Sequence, residues 1–462
     1  RFKINRTQLS NLNIFRNNDI RGFITAKGEL KGKISDPDIS INFNIDYPHF
    51  KGIRVREIWE GDIKNKNDKF LLNMKNRYSP IPSFLSIKFD SNFKLDNISF
   101  SRIFNSNKGN IELYRESNSY IWTANNFPLD ELELSLRNNQ FDRVEGIING
   151  SGSISLDQSY LDGRLAWSIG KYRNIELDNS LFEFNFNESS FNVSSSFYPI
   201  DGGIIEAYYN SNVNNKINLD FINTSTSWTI QTAIDILNFD NKKVSQISKL
   251  NILDDFEINK NKNSFKEKID FINNFIEKNN SQDDKLNLQK YFNKFSSRYD
   301  AKVSIEGDRL SNYKIDAELN GYIDTSKDDY KNKKEEFSID LKGGLLRGKG
   351  SLRIKKLPLS TANIFLNQSR DFMGGLDMNL FYDIDMKSFY SEISSNNASI
   401  KNKKILFNKG LIEFKNSIFD IDFELLINDS EIPINIEGSI PINKSDNLDL
   451  RLIGNGKFIE LI

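Results

Sequence analysis

Apolar and polar residues alternate with a period of two along most of this chain. Ile39, Ile41, Phe43, Ile45 and Tyr47 fall on one side of an extended strand, and Ser40, Asn42, Asn44 and Asp46 on the other. The same alternation returns at Leu132, Leu134, Leu136 and at Phe182, Phe184, Phe186. It recurs at Ile217, Leu219, Phe221, at Met378, Leu380, Tyr382, Ile384, Met386, and at Phe419, Ile421, Phe423, Leu425. A helix groups residues three and four apart, so these runs predict strands with one apolar and one wet face. Turn signals separate them at Asp201-Gly202-Gly203, Gly343-Gly344, Gly374-Gly375 and Gly454-Asn455-Gly456. Alternating strands with regular turns predict a mainly β fold built from antiparallel sheet.

One stretch breaks the pattern. From Trp228 to about Asp300 the spacing turns helical, with Ile230, Ala233, Ile234 and Leu237 on one face. Phe265, Ile269, Ile272 and Ile276 form a second face, opened by a capping box of Ser264 and Glu267. The polar piece between, Asn238 to Asn263, reads as a mobile loop. The chain therefore divides into β segments over 1–135, 136–227 and 301–462, with a helical insert over 228–300. No linker or compositional break closes the β segments off as separate domains. Weak repetition runs through them: Phe127-Pro128-Leu129 and Leu357-Pro358-Leu359 each precede an alternating run. Gly146, Gly150 and Gly152 are echoed by Gly344, Gly348 and Gly350.

Composition removes much of enzymology. Cysteine is absent and there is one histidine, His49. Thiolate metal sites, cysteine nucleophiles and histidine-centred triads or zincins are excluded, and no cofactor or metal site is expected. His49, after Pro48, reads as a surface turn residue. Lys+Arg is 62 and Asp+Glu is 63, so nothing suggests a nucleic-acid partner. The phrase Gly343 to Lys349 resembles a P-loop, but Gly350 stands where Ser or Thr should be. Ser351 to Lys355 then alternates like a strand instead of opening a helix, so a strand-turn-strand is expected. The acids Asp383 and Asp385 are read as the solvated face of the strand carrying Tyr382 and Ile384. The chain is expected not to be an enzyme.

No apolar run is long enough for a transmembrane helix. The chain opens Arg1-Phe2-Lys3 without a charged-then-apolar leader, and reads as an internal stretch of a longer protein, any anchor lying outside it. The apolar strand faces leave two readings open: a closed core between packed sheets, or an open β channel with an apolar inner face.

Three stretches are similar to AsmA-like and TamB proteins. The first is Gly28-Glu29-Leu30-Lys31-Gly32-Lys33-Ile34 with Pro37 and Ile39. The second runs from Phe127-Pro128-Leu129 through Gly146, Gly150 and Gly152 to the strand at Phe182–Phe186. The third runs from Leu357-Pro358-Leu359 through Gly374-Gly375 to Gly438-Ser439-Ile440. Together they resemble the translocation and assembly module TamB family, most closely its cyanobacterial and chloroplast-envelope branch. The resemblance implies an elongated, curled antiparallel sheet with a hydrophobic groove. It implies a periplasmic span of a protein anchored in the inner membrane and working with an Omp85-type outer-membrane barrel. Phospholipid transport between the membranes, outer-membrane protein assembly and secretion are the functions it implies. About 30 strands stacked at roughly 4.8 Å would span on the order of 150 Å. The expected groove-lining residues, with lipid acyl chains as guests, are Ile41, Phe43, Leu134, Phe184, Phe186, Leu219, Leu380, Ile421 and Phe423. The rival readings are an outer-membrane β-barrel, whose lipid-facing strands would carry few charges, and a secreted β-rich adhesin or fibre with a filled core.

Overall fold

The computed structural model describes most of the chain. The longer tracts outside the described residues are 12–19, 135–141, 212–214, 230–295 apart from 232, 308–311, 325–333, 360–371, 429–431, 443–447 and 455–462, together with scattered single residues and pairs. Nearly everything described is strand, and every pairing between the 27 strands that is described is antiparallel. The fold class is mainly β, as the alternation predicts. The chain forms two compact units, Arg1–Ile200 with Glu206–Val213, and Asp201–Ile205 with Asn214–Ile462.

The first unit contains β1 (Phe2–Gln8), β2 (Ile20–Lys33), β3 (Asp36–Phe50), β4 (Ile53–Val55), β5 (Ile58–Lys66) and β6 (Lys69–Arg77). They are followed by β7 (Ser83–Phe89), β8 (Leu95–Phe104), β9 (Asn107–Glu116), β10 (Ser119–Pro128) and β11 (Leu132–Leu134). Then come β12 (Asp142–Ser155), β13 (Tyr160–Tyr172), β14 (Ile175–Asn187) and β15 (Ser190–Pro199). β16 (Ile204–Asn210) falls across the division. The second unit holds β17 (Lys216–Ser225), β18 (Ser296–Glu306), β19 (Lys314–Asp324), β20 (Lys334–Gly344) and β21 (Lys349–Pro358). Its remaining strands are β22 (Phe372–Asp383), β23 (Ser388–Ile400), β24 (Lys403–Lys415), β25 (Ile418–Ile427), β26 (Ile434–Pro441) and β27 (Asp449–Ile453).

Each unit is a meander in which neighbouring strands pair, but two short strands change the first one. β3 pairs β5, and the ladder continues through β6, β7, β8, β9 and β10 to β12. β4 pairs the end of β3 and also β11, through Arg54 opposite Glu133, and β11 pairs the start of β12. The sheet therefore curls until β3 and β12 are joined, and a ring of pairings closes at one end of these strands.

β-Bulges recur along the ladders. Tyr47 takes φ 53° and faces Gly22 at φ 128°, and the register slips between Arg21 and Phe23. One extra residue reverses the parity of the strand beyond it. Tyr47, expected to share the apolar face with Ile45, is 54% exposed. His49 is not a surface turn residue: it lies within β3, opposite Arg21 and Arg54, and is buried.

The two Pro-containing phrases occupy equivalent bulges. Asn126, before Phe127-Pro128, has φ 48° and donates its N–H to Asn149 Oδ1 on β12 at 2.7 Å. Lys356, before Leu357-Pro358, has φ 54° and donates to Asp377 Oδ1 on β22 at 2.6 Å. Asn223 does the same with Asp300 Oδ1 at 2.6 Å. The repetition legible in sequence is thus a repeated backbone device, an αL bulge whose N–H is held by an Asx side chain on the adjoining strand.

Three further expectations change. Gly374-Gly375 is a bulge inside β22 and not a turn, because Gly374 at φ 93° packs against the backbone of Asn397 on β23. β22 stops at Asp383, so Ile384, Asp385 and Met386 form a turn in which Asp383 Oδ1 accepts the Met386 N–H at 3.0 Å. Ser296–Asp300 belong to β18, where they pair Asn320–Asp324, and so are strand and not helix. The helix faces expected between Ile230 and Ile276 lie outside the described residues, as does Leu136; residues 226–229 form a single helical turn.

Candidate functional site

Residues directly opposite one another in a ladder share a face, so the pairings trace what lines each unit. In the first unit Ala26, Phe43, Gly61, Met74, Leu85 and Phe100 follow one another strand by strand. The row continues through Ile111, Ala124, Gly150, Leu165 and Phe182. A parallel row two residues away passes Ile41, Ile63, Leu72, Ile87, Ile98 and Leu113 to Trp122, and then Gly152, Gly163, Phe184 and Val193. No charged side chain interrupts either row. The opposite face carries Asn42, Asp62, Asn73, Ser86, Ser99, Glu112 and Thr123.

The second unit repeats the arrangement. Leu219, Val303, Ala317, Leu341, Leu352 and Leu380 are successive partners. Ser391 interrupts the row before Ile412, Ile421, Gly438 and Leu450 resume it.

The expected lining residues fall as follows. Ile41 and Phe43, Phe184 and Phe186 lie on the apolar face of the first unit. Leu219, Leu380, Ile421 and Phe423 lie on that of the second. Phe43 is buried, Phe186 is 38% exposed, and the other six are half-buried. Leu134 ends β11, and its side chain is outside those described. Sequence reading missed the aromatic run Tyr382, Phe389, Phe414 and Phe419, one residue on each of four successive strands. The Phe389 and Phe414 rings lie 5.4 Å apart, and Phe414 and Phe419 4.7 Å. Tyr382 stands in an alternating run, but which residues oppose it is set by register, which local spacing does not carry.

Several aromatic rings lie over a glycine directly opposite. Phe43 is paired with Gly61, Trp122 with Gly152, Phe184 with Gly163, Phe337 with Gly321, and Tyr382 with Gly350. A Cβ on Gly61 would approach the Phe43 ring to 2.6 Å, and one on Gly321 the Phe337 ring to 2.8 Å. Glycine is needed there so that the ring can lie down on the sheet instead of standing across the face.

Burial is uneven along the strands of the first unit. At the end where β4 and β11 close the ring, Trp59, Ile81, Ser83, Arg102, Phe127 and Val144 are all under 5% exposed. At the other end Phe70, Leu72, Ile87, Ile98, Leu113 and Trp122 remain half-buried. The Trp59 and Phe100 ring centroids lie 6.0 Å apart, although β6 and β7 separate their strands. Three ladder steps measure about 14 Å, so these rings meet across the interior of the curl.

Arg102 is the polar centre of this sealed end. Its Nε donates to Ser83 Oγ at 3.3 Å, and its two Nη groups donate to the Pro128 and Asp130 carbonyls at 2.6 Å each. Burial pulls the guanidinium below its ordinary pKa, opposed by the charges of Glu57, Asp130 and Glu131. Burial also raises the Asp130 carboxyl. Asn76 extends the network, donating to Glu57 Oε2 and to the Ile81 carbonyl at 2.7 Å and accepting from Ser83 N at 2.8 Å. Arg54 Nε reaches Glu133 Oε2 at 2.6 Å across the β4–β11 pair. Every described donor of Arg102 is directed at protein oxygen, so the cluster is a clasp and not an anion site.

Two depressions occur on the wet faces. One, of about 820 Å³, lies among Lys27, Asn42, Asn44, Glu60, Asp62 and Lys75. The other, of about 390 Å³, lies among Arg298, Asp300, Asn320, Glu336 and Lys355. In the second, Arg298 is spent on the Asn223 and Asp201 carbonyls, and Asp300 on the Asn223 N–H. The P-loop lookalike is a strand-turn-strand, with Gly343 directly opposite Gly350. Asp385 Oδ2 accepts the Gly348 N–H at 3.0 Å, and Asp383 faces Lys349 at 3.6 Å. Among the described residues no three His, Asp or Glu side chains are grouped to hold a metal, and no helix is long and apolar enough to cross a membrane. No protein-family model, curated protein or solved structure matches this chain.

Proposed function

We propose that this chain is a non-enzymatic, lipid-handling β-groove protein of TamB type. On this reading it carries phospholipid acyl chains along its apolar faces between two membranes, in support of outer-membrane biogenesis. Its setting would be the periplasm, with an inner-membrane anchor elsewhere in the protein and an Omp85-type barrel as partner. One observation carries the proposal: the cross-strand row from Ile41 through Leu72, Leu113 and Trp122 to Phe184 is uncharged and largely half-buried. Each methylene of a guest leaving water for such a surface gains about 0.8 kcal/mol. Movement along a uniform row then needs no reacting group. The charged outward faces, such as Asp62, Lys64 and Glu112, speak against a bilayer-facing barrel, which wants an apolar exterior.

Mass spectrometry of lipids retained by the purified chain tests the proposal. Phe184→Asp and Phe423→Asp place a carboxylate on each unit's apolar face and should abolish retained phospholipid while leaving the far-ultraviolet spectrum of strand unchanged. Equal lipid content in wild type and both variants would remove the proposal.

A further inference from the structure

The closed ring of the first unit gives its apolar face two unlike ends. At one end β4 and β11 join β3 to β12, and Trp59, Phe100, Phe127 and Arg102 fill the space inside. Phe100 and Phe127 meet at 5.1 Å, and the Arg102 guanidinium carbon lies 5.8 Å from the centre of the Phe127 ring. Arg102 also ties β8 to the Pro128 and Asp130 carbonyls, so the filling is anchored to the wall. At the other end Leu72 and Leu113 remain half-buried.

We infer that the first unit is a blind-ended receptacle, which holds one acyl chain with its terminal methyl against the Trp59–Phe100–Phe127 filling and its headgroup at the open ends of the strands. The inference rests on the lipid-handling reading above and adds that, in the direction of the strands, the tail is stopped at one end. Depth fits the occupant. From Tyr120 to Phe127 along β10 the run is about 20 Å, and one leaflet of acyl chain in a bilayer occupies about 15 Å.

The rim fits a head without net charge. Two of its cations are already matched, Lys69 lying 3.7 Å from Asp96 and Arg115 3.6 Å from Asp90. A zwitterionic phospholipid meets such a rim without displacing an ion pair. A blind pocket of this kind also selects for length, since methylenes beyond the filling gain nothing.

The four tryptophans, Trp59, Trp122, Trp167 and Trp228, supply the test. Two single-tryptophan forms of the full chain are made by Trp→Phe changes, one keeping Trp59 and one keeping Trp122. Each is loaded from phosphatidylcholine vesicles carrying a nitroxide near the head or near the chain terminus. The terminal label should quench Trp59 several-fold more than the head-proximal label, and the order should reverse at Trp122. Equal quenching of Trp59 by both labels, or none while Trp122 is quenched, would overturn the blind end and leave lipid handling standing. No quenching at either position would overturn both. Should a variant misfold, wild-type chain photolabelled with terminal-diazirine phosphatidylcholine tests the same point. Adducts confined to peptides carrying Trp59, Phe100 and Phe127, within the first unit, support the inference, and adducts spread along its strands refute it.

Discussion

Trp122 and Phe184 stack face to face, with ring centroids 6.0 Å apart and planes within 7°, although β12 and β13 lie between their strands. The rings reach one another because Gly152 and Gly163 occupy the positions beneath them. A Cβ on Gly163 would collide with Trp122 and come within 2.8 Å of Phe184. Two aromatic side chains thereby cover a four-strand span of the apolar face without standing up from it.

Gly163→Val should break this stack. The added side chain costs about 1–3 kcal/mol through overpacking, read as a lower urea midpoint at unchanged slope. The Trp122 emission should shift to the red as the indole is displaced. Gly163→Ala should lose less, since only one carbon intrudes.

Arg102→Met should destabilise more than its apolar packing suggests. It leaves the Pro128 and Asp130 carbonyls and Ser83 Oγ without their buried donor. The expected loss is about 3 kcal/mol, measured by urea unfolding. Arg102→Lys should recover only part of it, because a single ammonium does not reproduce the two-pronged reach of guanidinium to separate carbonyls.

Much of this architecture was legible in sequence, and some was hidden for definite reasons. The runs at Ile39–Ile45 and Phe182–Phe186 identify strands because one-face burial writes itself into period two. Strand parity fails after Tyr47 and Gly22, where one inserted residue in αL conformation moves Tyr47 out and His49 in. No local signal separates that insertion from continued alternation. The strands Ile53–Val55 and Leu132–Leu134 are too short to show periodicity, and their pairing joins positions far apart in the chain. Arg102 was invisible for the same reason, since the carbonyls it binds lie more than twenty residues ahead of it. On the apolar face, Phe43 and Phe184 were readable, whereas the glycines that seat them were not, because register sets those partners.

The turn between β12 and β13 should be sensitive to acid. Asp157 is held at a pKa of about 2 by hydrogen bonds from the Ser155 and Ser159 hydroxyls and the Ser159 N–H. A carboxyl lowered in the folded state contributes stability above its unfolded pKa of about 3.9, lost as the pH falls through the folded value. Carbon-13 titration of Asp157 should give a midpoint near 2, and Ser159→Ala should move it upwards.

The held bulges at Asn126, Asn223 and Lys356 each confine an odd residue to one spot, beyond which the ladder runs on one residue out of its earlier register. A sheet punctuated in this way tolerates copying or deleting a hairpin together with its own bulge, because the neighbouring hairpins keep their inside and outside. The phrases around Pro128 and Pro358 differ in sequence and share this one local backbone device.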